Sequence, residues 1–315
     1  MQTLLVIGAS GQVGSDLVDA LRKQHGEDRV IASDIREPET DRGRFIKLDA
    51  TDTKGVEEAI RSNKVTQVYQ LVATLSATGE RNPMGAWKLN MQTLLDVLEM
   101  ARDLKLSKVY WPSSIAAFGS HTPATDTPQN CIMDPDTVYG ISKLAGERWC
   151  EYFHKKFGVD VRSLRYPGLI GYKALPGGGT TDYAVDIYHK AVRGEEFLCP
   201  LKSNTCLPMM YMDDAIRATI ELMEADPDRI SVRSSYNLSA FSFTPDEIAK
   251  SIRKYIPDFV MGYDLQPRLQ GIADSWPNSI DSSRAAADWD WKPAYDLDRM
   301  SEEMILQLGK NLPAG

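Results

Sequence analysis

The first 170 residues alternate short apolar segments with longer segments that have the apolar periodicity of a helix. This alternation predicts an α/β fold with a doubly wound parallel sheet, because parallel strands are joined by crossover helices that cover both faces. The predicted strands are Thr3–Ile7, Val30–Asp34, Phe45–Leu48, Gln67–Val72, Lys108–Trp111 and Val161–Tyr166. The predicted helices are Gln12–Gln24, Thr53–Ser62, Pro83–Leu104, Val138–Lys156 and Tyr183–Arg193.

After about residue 170 the loops lengthen and strand patterns become rarer. The predicted strands there are Leu207–Tyr211, Ser235–Leu238 and Val260–Tyr263, and the predicted helices are Asp213–Glu224, Pro245–Tyr255 and Leu297–Leu308. This change predicts a sheet domain over residues 1–170 and a smaller lobe over residues 171–315, part of which returns to the sheet. We expect a ligand cleft between the two parts.

Three glycines, Gly8, Gly11 and Gly14, separate the first predicted strand from the first predicted helix. Glycine lets the backbone approach a pyrophosphate, and the helix N-terminus offers free N–H groups and a positive dipole end. Strand, glycine turn and helix in this order predict a dinucleotide site, although the spacing is Gly-x-x-Gly-x-x-Gly rather than Gly-x-Gly-x-x-Gly. The predicted contacts in this turn are Gly8, Ser10, Gly11, Gln12, Val13 and Gly14.

Asp34 ends the second predicted strand, 20 residues after Gly14. A carboxylate at this position accepts hydrogen bonds from the ribose of NAD and repels the 2′-phosphate of NADP. Arg36 follows two residues later and offers some compensation for that repulsion, but we favour a solvated Arg36. The sequence therefore predicts NAD rather than NADP.

Tyr139 and Lys143 lie four residues apart on a predicted helix and share one of its faces. An isolated Tyr has a pKa of about 10 and is a weak base near neutral pH. A nearby ammonium and a cationic cofactor ring favour the phenolate, so we expect them to lower the pKa of Tyr139. Ser113 and Ser114 follow the predicted strand Lys108–Trp111, and either hydroxyl is placed to hold a substrate hydroxyl against the phenol.

With these features together, the chain resembles the extended short-chain dehydrogenases/reductases over nearly its whole length. The glycine motif of that family matches Gly8, Gly11 and Gly14. Its catalytic Ser–Tyr–Lys triad matches Ser114, Tyr139 and Lys143, since the family spacing to the Tyr fits Ser114 rather than Ser113. The resemblance implies a Rossmann fold and NAD as cofactor. It implies further cofactor contacts at Asp49, Ala50, Leu71, Ala73, Thr74, Asn90, Tyr139, Lys143, Tyr166 and Pro167.

Two of these contacts have a structural alternative. Asp49 is a candidate cap for the following helix, although Asp52 is better placed for that cap. Asn90 lies on the buried face of a long predicted helix, where a purely structural role is also open.

The segment Pro176–Tyr183 is a glycine loop that opens onto a helix. Thr hydroxyls and helix N–H groups can hold a carboxylate, and Asp182 can hold an ammonium, which together suit a small amino acid. Alternatively, Thr181 or Asp182 only caps the helix while the glycines form a mobile loop. The residues alone leave these two interpretations open.

The resemblance favours the amino-acid site. This loop, the segment Leu75–Glu80 and the segment Asp274–Pro277 are similar to signatures of short-chain-type L-threonine 3-dehydrogenases, although Asp290 stands where family members usually have Gly. The resemblance implies substrate contacts at Ser76, Ser114, Tyr139, Thr180, Thr181, Asp182 and Trp276, of which Trp276 is nearly as well explained as ordinary core.

The implied reaction is the oxidation of L-threonine by NAD to 2-amino-3-oxobutyrate. This β-keto acid is prone to lose carbon dioxide unless a downstream enzyme consumes it. The resemblance also implies a homodimer formed through the helices Pro83–Leu104 and Val138–Lys156. The runner-up is a nucleotide-sugar epimerase or dehydratase that keeps its NAD, but the second part of the chain is small and lacks an obvious basic cluster for a diphosphate. A redox sensor that binds the cofactor without turnover is a further alternative, and the intact Ser114, Tyr139 and Lys143 argue against it.

Composition bounds the remaining possibilities. The net charge of −8 and the lack of a basic run argue against nucleic acid or an anionic membrane as partner. The sequence contains no stretch of 18 apolar residues, so we expect no membrane-spanning helix. The N-terminus opens directly onto a predicted strand, so we expect no signal peptide. The four cysteines form no paired motif, which predicts reduced thiols in a cytoplasmic protein. The four histidines show no ligand spacing, so no metal site is predicted.

Overall fold

The computed structural model describes residues 2–38, 43–175, 177 and 179–310. Its main sheet has six parallel strands in the order β3-β2-β1-β4-β5-β7. These strands are β1 (Leu4–Ile7), β2 (Val30–Asp34), β3 (Phe45–Lys47), β4 (Gln67–Gln70), β5 (Lys108–Tyr110) and β7 (Val161–Arg162). The order reverses between β1 and β4, which is the topological switch point where α/β sheets bind ligands.

Eleven helices surround the sheets within the described ranges. They are α1 (Gln12–His25), α2 (Thr53–Ser62), α3 (Ser76–Gly79), α4 (Pro83–Asp103), α5 (Val138–Phe157), α6 (Tyr183–Val192), α7 (Met212–Glu224), α8 (Pro245–Arg253), α9 (Pro267–Asp274), α10 (Ser283–Trp289) and α11 (Leu297–Lys310). Short 3₁₀ turns occur at Glu27–Arg29, Ile115–Ala117 and Pro227–Arg229. None of the described helices is both long and apolar enough to span a bilayer.

The side chains of each strand alternate between the two faces of the main sheet. Leu5 and Ile7 pack in one buried cluster with apolar residues of α2, α4 and α5. Leu4 and Val6 pack in another cluster with apolar residues of α1 and α7. Helices therefore cover both faces of a parallel sheet, and the predicted doubly wound α/β fold is confirmed.

The single strand predicted over Val161–Tyr166 is wrong, because the chain leaves the main sheet at Ser163. Residues Val161–Arg162 form β7, whereas Leu164–Tyr166 form β8 in a second sheet between β6 (Ser113–Ser114) and β12 (Tyr236–Asn237). The Ser163 carbonyl accepts a hydrogen bond from the Tyr236 N–H at 2.9 Å, which directs the strand towards β12. As a result, β6 lies beside β8 at the carboxyl end of β5.

The second half of the chain contributes two more small sheets. In one, β11 (Leu207–Tyr211) lies between β9 (Gly168–Ile170) and β13 (Phe241–Phe243). In the other, β10 (Phe197–Cys199) pairs with β14 (Met261–Tyr263). A third buried cluster joins these strands to α6, α8 and α11. The division of the chain at residue 170 stays a prediction, and strands from both predicted parts share the sheet of β6, β8 and β12 and the sheet of β9, β11 and β13.

Candidate active site

The first turn of α5 brings Tyr139 to Ser114. Thr137 caps the helix, its hydroxyl accepting from the Gly140 N–H at 3.1 Å. Gly140 packs so closely on the 3₁₀ turn after Ser114 that an added Cβ would lie 2.0 Å from the Ala116 carbonyl oxygen. Glycine is therefore required for this approach. The outcome is that the Ser114 hydroxyl lies close enough to the Tyr139 phenol to favour the phenolate.

Lys143 lies one turn further along α5 and is almost completely buried. Its Nζ lies 4.4 Å from the centroid of the Trp111 ring and 5.4 Å from that of the Tyr139 ring, and it donates to the Pro112 carbonyl. Burial lowers the pKa of Lys143 to about 7, because the site lacks water to solvate the ammonium.

Tyr139 departs from the expectation drawn from the sequence. Burial raises its pKa to about 12, and the Ser114 hydroxyl opposes this only in part. The expectation that Lys143 lowers the pKa of Tyr139 is wrong for the protein without cofactor, because desolvation of the phenolate outweighs the other effects. A phenolate near neutral pH therefore needs a further positive charge beside Tyr139.

Ser113 and Ser114 have different partners. The Ser113 hydroxyl donates to Glu147 Oε1 at 2.6 Å, and Glu147 in turn forms two hydrogen bonds with Arg165, at 2.9 and 2.7 Å. Glu147 and Arg165 are buried, so Ser113 belongs to a structural ion-pair network, whereas Ser114 acts on the ionisation of Tyr139. Sequence reasoning missed this network, although Glu147 lies four residues after Lys143 on the same helix face.

The glycine turn forms one end of a groove along the carboxyl ends of β1, β2 and β4. Gly8 has a φ of +89°, and a Cβ there would lie 3.1 Å from Val72 Cγ2. A Cβ at Gly14 would lie 2.1 Å from the Gly8 carbonyl oxygen, so Gly14 allows α1 to start directly behind the turn. The groove has a volume of about 290 Å³. Among the predicted cofactor contacts, those that line it are Gly8, Gly11, Asp34, Asp49, Ala50, Leu71 and Ala73.

Asp34 is held in place by the glycine turn itself. Its carboxylate accepts from the Ser10 N–H at 3.0 Å and from the Arg36 N–H at 3.1 Å. The Arg36 side chain is 71% exposed, with its Nε 3.7 Å from Asp34 and its Nη2 donating to the Ser10 carbonyl. A glycine-lined groove that ends at a fixed carboxylate fits the pyrophosphate and ribose of NAD.

Asp49 does not cap α2. Asp52 does, its carboxylate accepting from the Gly55 N–H at 3.1 Å, as the sequence indicated. The Asp49 carboxylate instead accepts from the N–H and hydroxyl of Thr51, at 2.8 and 2.7 Å, which lowers its pKa. Asp49 thus lies as a carboxylate on the wall of the groove.

A second cavity of about 170 Å³ adjoins the groove, since Leu71 and Ala73 line both. It brings together predicted residues from both halves of the chain, namely Gln12, Val13, Ser76, Ser114, Tyr139, Lys143, Tyr166, Pro167, Thr180, Thr181, Asp182 and Trp276. Leu169 and Gly179 also line it but were not predicted, although Gly179 lies in the glycine loop that the sequence analysis singled out.

The polar side chains of the loop before α6 are directed away from that helix. Thr180 is 2% exposed, and its hydroxyl has no hydrogen-bond partner among the described residues. Asp182 precedes α6, but its carboxylate accepts from the Gly179 N–H at 2.7 Å rather than capping the helix. The predicted loop includes Pro176 and Gly178, which lie outside the described residues.

Four of the predicted contacts line neither of these two cavities. Asn90 is buried, and its amide bonds the N–H and carbonyl of Thr74, at 2.7 and 3.2 Å, and the Ser142 hydroxyl. Asn90 and Thr74 thus join the segment after β4 to α4 and α5. Gly14 packs behind the glycine turn, and Ser10 lines a neighbouring groove beside Arg36. Trp276 lines the second cavity and also packs in the core, so its role as a substrate contact stays a prediction.

The chain is similar to known proteins along its whole length. The sequence model of the NAD dependent epimerase/dehydratase family matches residues 4–238. An uncharacterised epimerase/dehydratase of Staphylococcus saprophyticus is 48% identical over 309 residues, which cover 97% of this chain and 96% of that protein.

Solved structures agree with this family. A partial consensus L-threonine 3-dehydrogenase superposes with a TM-score of 0.97 at 54% identity, covering 98% of this chain and 100% of its own. The holo form of a GalE-like L-threonine dehydrogenase from Cupriavidus necator superposes with a TM-score of 0.95 at 53% identity, covering 97% of this chain and 99% of its own. The chain therefore belongs to the NAD-dependent epimerase/dehydratase family of extended short-chain dehydrogenases/reductases and is an NAD-dependent oxidoreductase.

Proposed function

We propose that this enzyme oxidises the β-hydroxyl of L-threonine to give 2-amino-3-oxobutyrate. The observation that carries the proposal is the buried, unpaired hydroxyl of Thr180 in the cavity that Ser114 and Tyr139 also line. A buried hydroxyl without a partner is costly, so a polar ligand group at this position explains it. The similarity to L-threonine dehydrogenases supports the same substrate.

The residues of α5 and β6 would carry the proton chemistry. Tyr139 as phenolate takes the proton of the substrate hydroxyl, and Ser114 donates a hydrogen bond to the same oxygen as it becomes a carbonyl. Lys143 stabilises the phenolate and holds the nicotinamide ribose. Bound NAD would supply the hydride acceptor for the substrate carbon and, in its cationic ring, the positive charge that Tyr139 lacks in the free protein.

The loop before α6 would bind the two charged groups of the amino acid. The hydroxyls of Thr180 and Thr181, which lie at the positive end of the α6 dipole, suit the carboxylate. The Asp182 carboxylate suits the ammonium, and Ser76 lines the same cavity from α3. Residues 1–170 would thus provide most of the NAD site, and residues 171–315 most of the substrate site. The released β-keto acid loses carbon dioxide readily, so we propose that a downstream enzyme consumes it.

The test is the appearance of NADH absorbance when purified protein is mixed with NAD and L-threonine. L-Serine, 3-hydroxybutyrate and UDP-glucose are the comparison substrates, because they lack the methyl group, the amine and the amino-acid skeleton respectively. We expect NADH chiefly with L-threonine. NADH formed equally well from 3-hydroxybutyrate would refute the ammonium site at Asp182.

Absence of NADH with all four substrates would overturn the proposal. In that case NAD retained by the purified protein and released on denaturation would support the alternative, a nucleotide-sugar epimerase or dehydratase, which the names of the curated relatives also suggest.

A further inference from the structure

Glu80 links the substrate cavity to the helix that carries Tyr139. It follows α3, whose first residue, Ser76, lines the cavity. The Glu80 carboxylate accepts a hydrogen bond at 2.8 Å from the N–H of Val138, the first residue of α5. The peptide group that joins Thr137 to Val138, one residue before Tyr139, is thus fixed by a side chain that is 58 residues away from Val138 in sequence.

The helices α3 and α5 pack closely against each other. A Cβ at Gly79 would lie 3.3 Å from Val138 Cγ1 and 3.4 Å from the Ala86 Cβ. On its other side, the first turn of α5 packs through Gly140 against the Ala116 carbonyl. This turn is therefore clamped between two segments, one following Ser76 and the other following Ser114.

The described residues offer the Val138 N–H no other side-chain acceptor. The Thr137 hydroxyl caps the helix by accepting from Gly140, two residues after Val138. The first N–H groups of a helix have no partner within the helix, so removal of Glu80 leaves the Val138 N–H without an acceptor among the described residues. The first turn of α5 then loses one of its two fixed points beside Tyr139.

We propose that Glu80 is a positioning residue: it holds the first turn of α5 against α3 and thereby sets Tyr139 relative to Ser76 and Ser114. The proposal rests on the proposed function for its kinetic consequences. The kinetic consequences arise because proton transfer is sensitive to distance, and a misplacement of about 1 Å can reduce the rate about 100-fold.

The test compares Glu80→Ala and Glu80→Gln with a matched control, Glu247→Ala. The Glu247 carboxylate likewise accepts a hydrogen bond from a backbone N–H at the start of a helix, here from Thr244 at 2.8 Å. That helix is α8, which lines neither cavity. We expect Glu80→Ala to lower kcat with L-threonine by about 10- to 100-fold while the Kd of NAD changes less than about threefold. Glu80→Gln keeps an oxygen acceptor and should restore most of kcat. Glu247→Ala should leave kcat unchanged.

Hydrogen–deuterium exchange separates the proposal from the assignment of the reaction. We expect faster exchange of the amides at the start of α5 in Glu80→Ala and wild-type exchange there in Glu247→Ala. If exchange at that turn is unchanged in Glu80→Ala, the proposal is wrong, whatever the substrate. If exchange accelerates and kcat stays at the wild-type value, Glu80 stabilises the helix but does not position Tyr139, and the proposal is also overturned. If the wild type is inactive with L-threonine, the proposed function fails, and the exchange experiment still decides whether Glu80 holds α5.

Discussion

At the scale of single residues, the site combines two groups whose ionisation is disfavoured by the same cause. Burial raises the pKa of Tyr139 to about 12 and lowers that of Lys143 to about 7. Both neutral forms are thus favoured in the free protein. The catalytic phenolate is therefore a property of the complex with the cationic cofactor rather than of the chain alone.

Replacing Tyr139 by Phe tests the role of the phenol. Tyr139→Phe removes only the hydroxyl, so we expect turnover to fall by orders of magnitude and NAD affinity to stay nearly unchanged. Tyr152→Phe, on an exposed part of the same helix, is the matched control and should behave as the wild type. The measurements are initial rates of NADH formation and NAD binding by fluorescence. Wild-type turnover in Tyr139→Phe would refute Tyr139 as the base.

The low pKa of Lys143 predicts a pH-dependent stability. Between pH 7 and pH 10.5, Lys143 is protonated in the unfolded chain but largely neutral in the folded one, so the unfolded state binds more protons and stability rises with pH. Relative to Lys143→Met, which does not titrate, we expect the unfolding free energy of the cofactor-free wild type to rise by up to about 1.4 kcal/mol per pH unit in this range. Below pH 7 the difference should be constant. Urea unfolding at pH 6, 7.5 and 9 measures it, and a difference that is flat over all three would contradict the buried, uncharged lysine.

At the scale of elements, the long periodic segments were predictable from sequence, whereas several short ones, such as β6, β9 and α3, were not. The helix predicted over Pro83–Leu104 is observed as Pro83–Asp103, because its apolar spacing repeats over several turns. The two-residue strand β6 is defined only by its pairing with β8, across about 50 residues of chain, and no local pattern specifies it. For the same reason, the sequence singled out Tyr139, Lys143 and the glycine turn but not Glu147 or Glu80, whose partners are distant in sequence.

The pair of Glu147 and Arg165 joins three of these elements. Arg165 of β8 bonds Glu147 of α5 and the Asn237 side chain of β12 at 2.8 Å. Arg165→Met leaves the Glu147 charge buried without its partner, so we expect a loss of about 3–5 kcal/mol of unfolding free energy. The double variant Glu147→Met with Arg165→Met should recover much of that loss, because no uncompensated charge remains. Urea denaturation measures both, and additive losses in the double variant would show that the two charges are not coupled.

At the scale of the whole molecule, the site lies at the carboxyl edge of the parallel sheet, next to the first turn of α5. The C-terminal half of α5 has an exposed surface away from the site. A group of exposed aromatic rings lies there, comprising Trp149, Tyr152 and Phe157, which are 40%, 45% and 45% exposed. Their rings contact one another within about 6 Å, and Arg102 of α4 lies over Phe157. Such a contiguous group of exposed aromatic rings on α5, beside α4, is typical of a protein interface.

We therefore expect a homodimer through α4 and α5, as the resemblance implied. Trp149→Glu places a charge in the centre of the aromatic group, and a symmetric interface would bury it twice, so this variant should be monomeric. Leu306→Glu on α11 alters a leucine that is 52% exposed outside the group, and it should retain the wild-type mass. Size-exclusion chromatography with light scattering gives the masses directly. A monomeric wild type would refute the dimer, and a dimeric Trp149→Glu would place the interface on another surface. Because Trp149 and Tyr139 belong to the same helix, the NADH assay on the monomeric variant then tells whether the dimer contributes to the order of α5 that catalysis requires.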